Sequence, residues 1–354
     1  MEMGRQSPFS AFSVDLNSFN HRYGPPAVTA SSKLERTDLV TISSRLFAWG
    51  VIGAVFAFLL NNYLDYWRGW PGAGDILKGS SALAWLQTGL YAIALMIAFT
   101  YVVRTKTKAL RPESNRVYSI TAYIVRAAFW AVLMIGLADA IVSFLRVEDL
   151  LPSVFGDQIA TDLSRSSFRG MYVHIPLLVL AIIIAIFRRG LGFHWLALLV
   201  VVAELLIVFT RFIFSYEQAF MADLVRFWYA ALFLFASAYT LIEDGHVRVD
   251  VLYSSFAERT KGYVNAIGSI LLGLSVSSVI LAIGTESRSA IINGPLLLFE
   301  TTQTGFGMYV KYWMAGFLGV FAVTMLIQFV GFFLEAIADI RGEPNKRTVT
   351  AMGA

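Results

Sequence analysis

Eight apolar stretches, near residues 46–64, 84–103, 117–143, 172–187, 192–214, 224–242, 263–283 and 309–335, limit what this chain can become. Each approaches the roughly 20 residues that a helix needs to cross a hydrocarbon core at about 1.5 Å per residue. Inside a bilayer every backbone amide must find its partner within the protein, which leaves helices or closed barrels, and apolar runs of this length form helices. The expected fold is therefore all-α, a polytopic helical membrane protein with about eight transmembrane helices. Composition agrees: 57% of residues are hydrophobic and 15% charged, against about 25% charged in an ordinary soluble domain. A soluble enzyme is excluded.

The basic residues set the expected orientation, because positive charge is retained on the cytoplasmic side. Most of the Lys and Arg fall in the N-terminal tail, the loop from Arg104 to Arg116, the Arg188–Arg189 pair, the stretch from Arg248 to Lys261, and the C-terminal tail. An even number of spans puts all of these on one side. The other side holds Arg68, Lys78, Arg146, Arg165, Arg169, Arg288 and Lys311. Both termini are expected in the cytoplasm, and the formal net charge of +4 belongs to topology rather than to a nucleic-acid partner. The chain then divides into a cytoplasmic tail (1–45), a four-helix membrane extension (46–190), a second four-helix block (191–338) and a short cytoplasmic tail (339–354). Residues 1–40 lack the basic start, apolar core and small-residue cleavage site of a signal peptide. The outer loops 65–82 and 144–170 are long enough for short helices lying on the membrane surface. Trp49, Trp67, Trp70, Trp85, Trp195, Trp228 and Trp313 fall near span ends, where indole rings act as interfacial anchors.

Little in the sequence points to catalysis. The absence of cysteine excludes disulfides, thiolate-bound zinc and all-cysteine iron–sulfur clusters. There is no Gly-rich phosphate loop, no pair of histidines at metal-ligand spacing and no Ser-His-Asp arrangement. Of the four histidines, His21 lies in the tail, His246 in a loop, and His174 and His194 at opposite membrane faces, so no intramembrane haem site can be drawn. Neither an enzyme nor a cofactor on this chain is expected.

Ionisable residues inside the spans are costly in hydrocarbon and therefore informative. Counted from their helix ends, Arg126 and Glu204 lie at similar mid-bilayer depth and are a candidate pair. Their readings are a structural ion pair, an ion or proton path, or a contact with another subunit. Asp139 and Arg211 lie towards the outer face and form a second candidate pair. Asp223 and Arg226, three residues apart at the start of span six, read as a solvated surface pair. No internal repeat with matching broken helices is visible, as a self-contained secondary carrier often shows. A self-sufficient channel or carrier, and below it a redox-complex anchor, stay open as alternatives to an accessory subunit.

From about Glu204 onward the order of features resembles the small membrane subunit of tripartite ATP-independent periplasmic (TRAP) transporters. The text VFTRFIFSYEQAFMADLVRFWYAALFLFASAYTLIEDGHVRVDVLYSSF carries an Arg-aromatic pair (Arg211, Phe212), an acidic-Leu pair (Asp223, Leu224) and a Gly-His-Val-Arg-Val-Asp run with His246, Arg248 and Asp250. Lys311 and Trp313 open the last helix, and Gln328 lies within it. Asp223 stands where the family usually has Glu. The first four spans have no counterpart in the ordinary four-helix subunit, which makes this an extended form. The resemblance implies a large TRAP membrane subunit as partner, carrying substrate and the sodium ion in an elevator motion, with this chain in the fixed scaffold. It also implies a periplasmic substrate-binding protein delivering an organic acid, and a place in the bacterial inner membrane. The loop 284–309 is the expected docking element for the binding protein, or else a cover over helix ends.

Overall fold

The computed structural model describes residues 39–77, 79, 81–188, 193–216, 218–242, 251–301 and 307–345. Among them are eight helices long and apolar enough to cross a membrane, and no β-strand. They are α1 (Leu39–Arg68), α2 (Ala82–Arg104), α3 (Leu110–Val147), α6 (Ser166–Phe187), α7 (Phe193–Phe214), α8 (Met221–Ile242), α9 (Glu258–Gly284) and α11 (Lys311–Ile340). Short helices fill the loops: α4 (Leu151–Phe155) and α5 (Asp157–Leu163) between α3 and α6, and α10 (Asn293–Leu298) before α11. The loop 144–170 thus holds the short helices its length allows, while the described part of the loop after α1 holds a 3₁₀ turn, Ala73–Leu77. Both loop helices α4 and α5 are anchored, with Leu151, Ala160 and Leu163 buried against Val142 of α3.

α11 is the axis of the bundle, with more of its surface enclosed than any other span. α3 runs antiparallel beside it. On one flank, Ala48 and Ile52 of α1, Val117 of α3, Leu274 and Leu281 of α9, and Leu326, Ile327, Val330 and Leu334 of α11 form one apolar cluster. On the other, Phe129, Val132 and Ile135 of α3 meet Leu224, Phe227, Trp228 and Phe235 of α8 and Phe317 of α11, with Ala181 of α6 and Leu196 and Ala203 of α7 at the edge. The extension and the second block are consecutive in sequence but interleaved in space, and residues 36–354 form one compact unit.

Lipid tails are as apolar as leucine, so helices in a bilayer associate through close packing and polar contacts rather than hydrophobic exclusion. The α3–α11 contact shows both. At Gly331 a Cβ would fall 2.3 Å from Cε1 of Tyr118, and the Gly331 carbonyl accepts a hydrogen bond from Ser114 Oγ at 3.0 Å. The Tyr118 ring cannot move aside, because it is buried and its hydroxyl donates to Glu335 Oε2 at 2.6 Å. At one end of the pair Arg111 meets Asp339 at 2.8 Å. There the carboxylate of Glu343 accepts the amides of Leu110 and Arg111 at 3.1 and 3.3 Å. α3 has no side-chain cap of its own, Ala109 being its N-cap residue, so a residue beyond the end of α11 satisfies amides that a helix start leaves unpaired.

Replacing Gly331 by Ala is expected to cost about 1–3 kcal/mol through overpacking and to lower the melting temperature in detergent. Gly319→Ala serves as control: its Cβ would meet nothing nearer than 3.8 Å, and melting should stay level or rise, as Ala is the better helix former.

Candidate functional site

A dense group of buried polar side chains lies at the end of the bundle opposite Arg111, around Asp139 of α3. That residue is eight positions before the end of its helix, about 12 Å inside it. Asp139, Arg169 and His174 are all fully buried. Asp139 Oδ1 lies 2.8 Å from Arg169 Nη1 and 3.1 Å from His174 Nε2, while Oδ2 accepts the amide of Tyr309 at 2.8 Å. The remaining Arg169 donors reach the Leu163 carbonyl at 2.9 and 3.0 Å and Ser143 Oγ at 3.2 Å. Its guanidinium lies over the Tyr309 ring at 4.2 Å. A buried ion pair needs this many accessory bonds, since its desolvation is otherwise not offset by the mutual attraction.

Local backbone geometry brings Arg169 and His174 to the same carboxylate. After its first turn, Ser166–Arg169, α6 carries a π turn over Gly170–His174, and the i→i+5 pattern makes the turn one residue wider. Positions five apart, which diverge on a regular α-helix, then come round to one side. Gly170 admits the Phe299 ring, which a Cβ would approach to 2.4 Å. The His174 ring is oriented by its contacts. Trp313 Nε1 lies 3.2 Å from His174 Nδ1, and an indole can only donate. Nδ1 therefore faces a donor while Nε2 faces Asp139, and the Tyr312 hydroxyl lies 2.5 Å from Nδ1.

The segment entering α11 is held by carboxylates from both blocks. Asp223 of α8 accepts the Met308 amide at 3.1 Å while Asp139 accepts the next one, Tyr309, and Arg146 donates to the Gly307 carbonyl at 2.6 Å. Negative charge at a helix start is favourable in itself. Asp223 is buried and lies 3.5 Å from Arg226, so the expected pair forms, but its acid is a structural anchor rather than half of a solvated pair. Lys311 pairs with Glu300. Just outside the spans, Tyr216 and Gln218 donate to Glu148. Those bonds hold its carboxyl below the usual carboxylate range and tie the end of α3 to the turn before α8.

A second buried cluster lies at the Arg111 end. Arg45 and Glu113, both fully buried, are 3.6 Å apart. Glu113 also accepts from Trp49 Nε1 at 2.6 Å and from the Tyr101 hydroxyl at 3.0 Å, and Arg45 donates to the Thr105 carbonyl at 2.6 Å. Three helices, α1, α2 and α3, meet on this carboxylate.

Several expectations are corrected by this geometry. Asp139 pairs with Arg169 and His174 instead of Arg211, because Arg211 stands on the exposed side of α7 while Asp139 points inward at α6. Depth alone does not give the direction in which a side chain leaves its helix. Among the described residues no ion pair joins Arg126 to Glu204: Arg126 is half-buried on α3, whereas Glu204 faces outward, one position on from the buried Ala203. Trp49 and Trp313 direct their indole N–H groups to Glu113 and His174, and Trp228 is buried against Gly136, so these three are not interfacial anchors. His246, Arg248 and Asp250 lie outside the described residues. In the loop 284–309 the described part is fastened over helix ends. Asn293 and Asn62 both donate to the Thr285 carbonyl at 3.0 Å, and Arg288 donates to the Tyr66 carbonyl at 2.9 Å.

Asp139→Leu should leave Arg169 as an uncompensated buried charge and cost about 3–5 kcal/mol. The double variant Asp139→Leu, Arg169→Leu should recover much of that loss, and thermal unfolding of the detergent-purified chain measures both.

Residues 197–339 match the family model described as tripartite ATP-independent periplasmic transporters, DctQ component. The match begins within α7 and stops at the last turn of α11, so it covers the second block together with Asp223 and the 307–311 segment. No curated protein and no solved structure matches the chain. Residues 197–339 are thus similar to the DctQ component of the tripartite ATP-independent periplasmic transporters, and further helices long and apolar enough to cross a membrane precede that region.

Proposed function

We propose that this chain is the fixed scaffold for the large membrane subunit of a TRAP transporter in a bacterial inner membrane, with both of its termini in the cytoplasm. The large subunit carries the sodium ion and the substrate, an organic acid handed over by a periplasmic binding protein. The family match over residues 197–339 carries this reading. The way this chain uses its buried charges supports it: Asp139, Arg169, Arg45 and Glu113 bind one another across helices and hold those helices in register. In a sodium-coupled carrier such groups would be expected to line a pathway. The extension widens the body in the membrane plane. With α1 and α3 packed directly on α11, it braces the family module against tilting.

Co-expression with the large subunit, followed by reconstitution of the purified complex, tests the reading. Uptake of a carboxylate substrate should require the binding protein, an inward sodium gradient and both membrane subunits. Solute transport by this chain alone in liposomes would sink the scaffold assignment.

A further inference from the structure

The seat of the large subunit can be placed on this chain. α7 is the least enclosed of the spans. It touches the bundle through a narrow stripe, Leu196 and Ala203 with Leu199 and Val200, and leaves the remaining surface outward. Glu204 lies on that outward surface, between the exposed Val201 and Val208. It is eleven residues from the start of α7 and ten from its end, so either membrane surface is about 15 Å away along the helix. A Glu side chain is too short to reach water from there, unlike the long stems of Lys and Arg. Among the described residues no hydrogen bond or ion pair satisfies the carboxylate.

The other outward faces are different. Between Ala82 and Val103 on α2, and between Ile175 and Phe187 on α6, there is no charged residue, and exposed Leu86, Ile93, Met96 and Ile97 on α2 match acyl chains. Those faces suit lipid. The α7 face places an acid where lipid offers only hydrocarbon. A second copy of the chain seated symmetrically on this face would set Glu204 against Glu204, two like charges in a low-dielectric medium. A cation from a different protein suits the position.

We propose, resting on the scaffold reading above, that the Val201–Glu204–Val208 face of α7 is the docking surface for the large membrane subunit, and that Glu204 pairs there with a Lys or Arg of that subunit at mid-bilayer depth. The pair would fix the rotation of α7 against the partner, while the surrounding Leu205, Val201 and Val208 supply close packing.

The test uses the full chain co-expressed with the large subunit. A photo-crosslinking residue at Val208 should capture the large subunit, and one at Met96 on α2 should not. Glu204→Leu and Glu204→Lys should lower recovery of the complex after detergent washing by about thirtyfold or more, the scale for removing one partner of a desolvated charge pair. Glu204→Asp should retain most of it. Melting of the isolated chain should be unchanged by Glu204→Leu, because the side chain has no polar partner among the described residues. Wild-type recovery with both Glu204→Leu and Glu204→Lys, or a Val208 crosslink only to a second copy of this chain, overturns the proposal while leaving the scaffold reading intact. Failure of the wild-type chain to hold the large subunit removes both.

Discussion

The bundle depends on the burial of the Asp139 carboxylate. Removing it from water inside a membrane helix is tolerable only because Arg169, His174 and the Tyr309 amide all reach it. These groups come from α3, α6 and the segment entering α11, which are far apart in sequence. The site therefore exists only when all three are in place, and the extension cannot settle independently of the family module. Tyr309 shows the coupling most directly. Its amide is bound by the extension, its neighbour's amide is bound by Asp223 of the module, and its ring lies beneath the guanidinium of Arg169.

At the other end of the same helix pair, Arg111, Asp339 and Glu343 perform the corresponding task with a different chemistry. There the groups are partly exposed, and the main gain is that amides at the start of α3 find acceptors. Between the two ends the contact is steric, with Tyr118 in the notch at Gly331 and Ser114 bound to its carbonyl. Where lipid provides no hydrophobic force to pull helices together, polar contacts and small residues are what distinguish one packing from another.

The eight spans were legible in the sequence because their signal, a long apolar run bounded by charge, arises from a solvent that admits few alternatives. The depth of Asp139 was legible too, by counting residues along a helix. Its partners were not. Arg169 and His174 are five apart and on a regular α-helix would not share a carboxylate; only the π turn aligns them, and nothing in the residues from Gly170 to His174 announces it. The roles of Glu113 and Glu343 were not legible either, since their partners are set by the packing of α1, α2 and α11. Asp223 read as solvated because the segment that buries it, at residues 307–310, belongs to a loop whose path the sequence does not reveal. The family text did single out Asp223 and Lys311, and the structure puts both at the entry to α11.

For the proposed scaffold role the position of these contacts matters more than their number. A moving partner transmits lateral and vertical force to the subunit that holds it, and the softest response of a helical bundle is the sliding of one helix past another. If α11 slid along α3 by a single residue, about 1.5 Å, the Tyr309 amide would leave Asp139 at one end and Arg111 would leave Asp339 at the other. Both are hydrogen bonds of 2.8 Å, and both weaken steeply with such a displacement. The Tyr118 ring would also be driven out of the Gly331 notch. Shear is thus opposed at three points along one helix pair. Tilting is opposed by α1 and α9 on one flank and α8 on the other, all packed on α11. A body stiffened in this way, with its interhelical charge pairs closed inside, is suited to remaining still beside a moving neighbour.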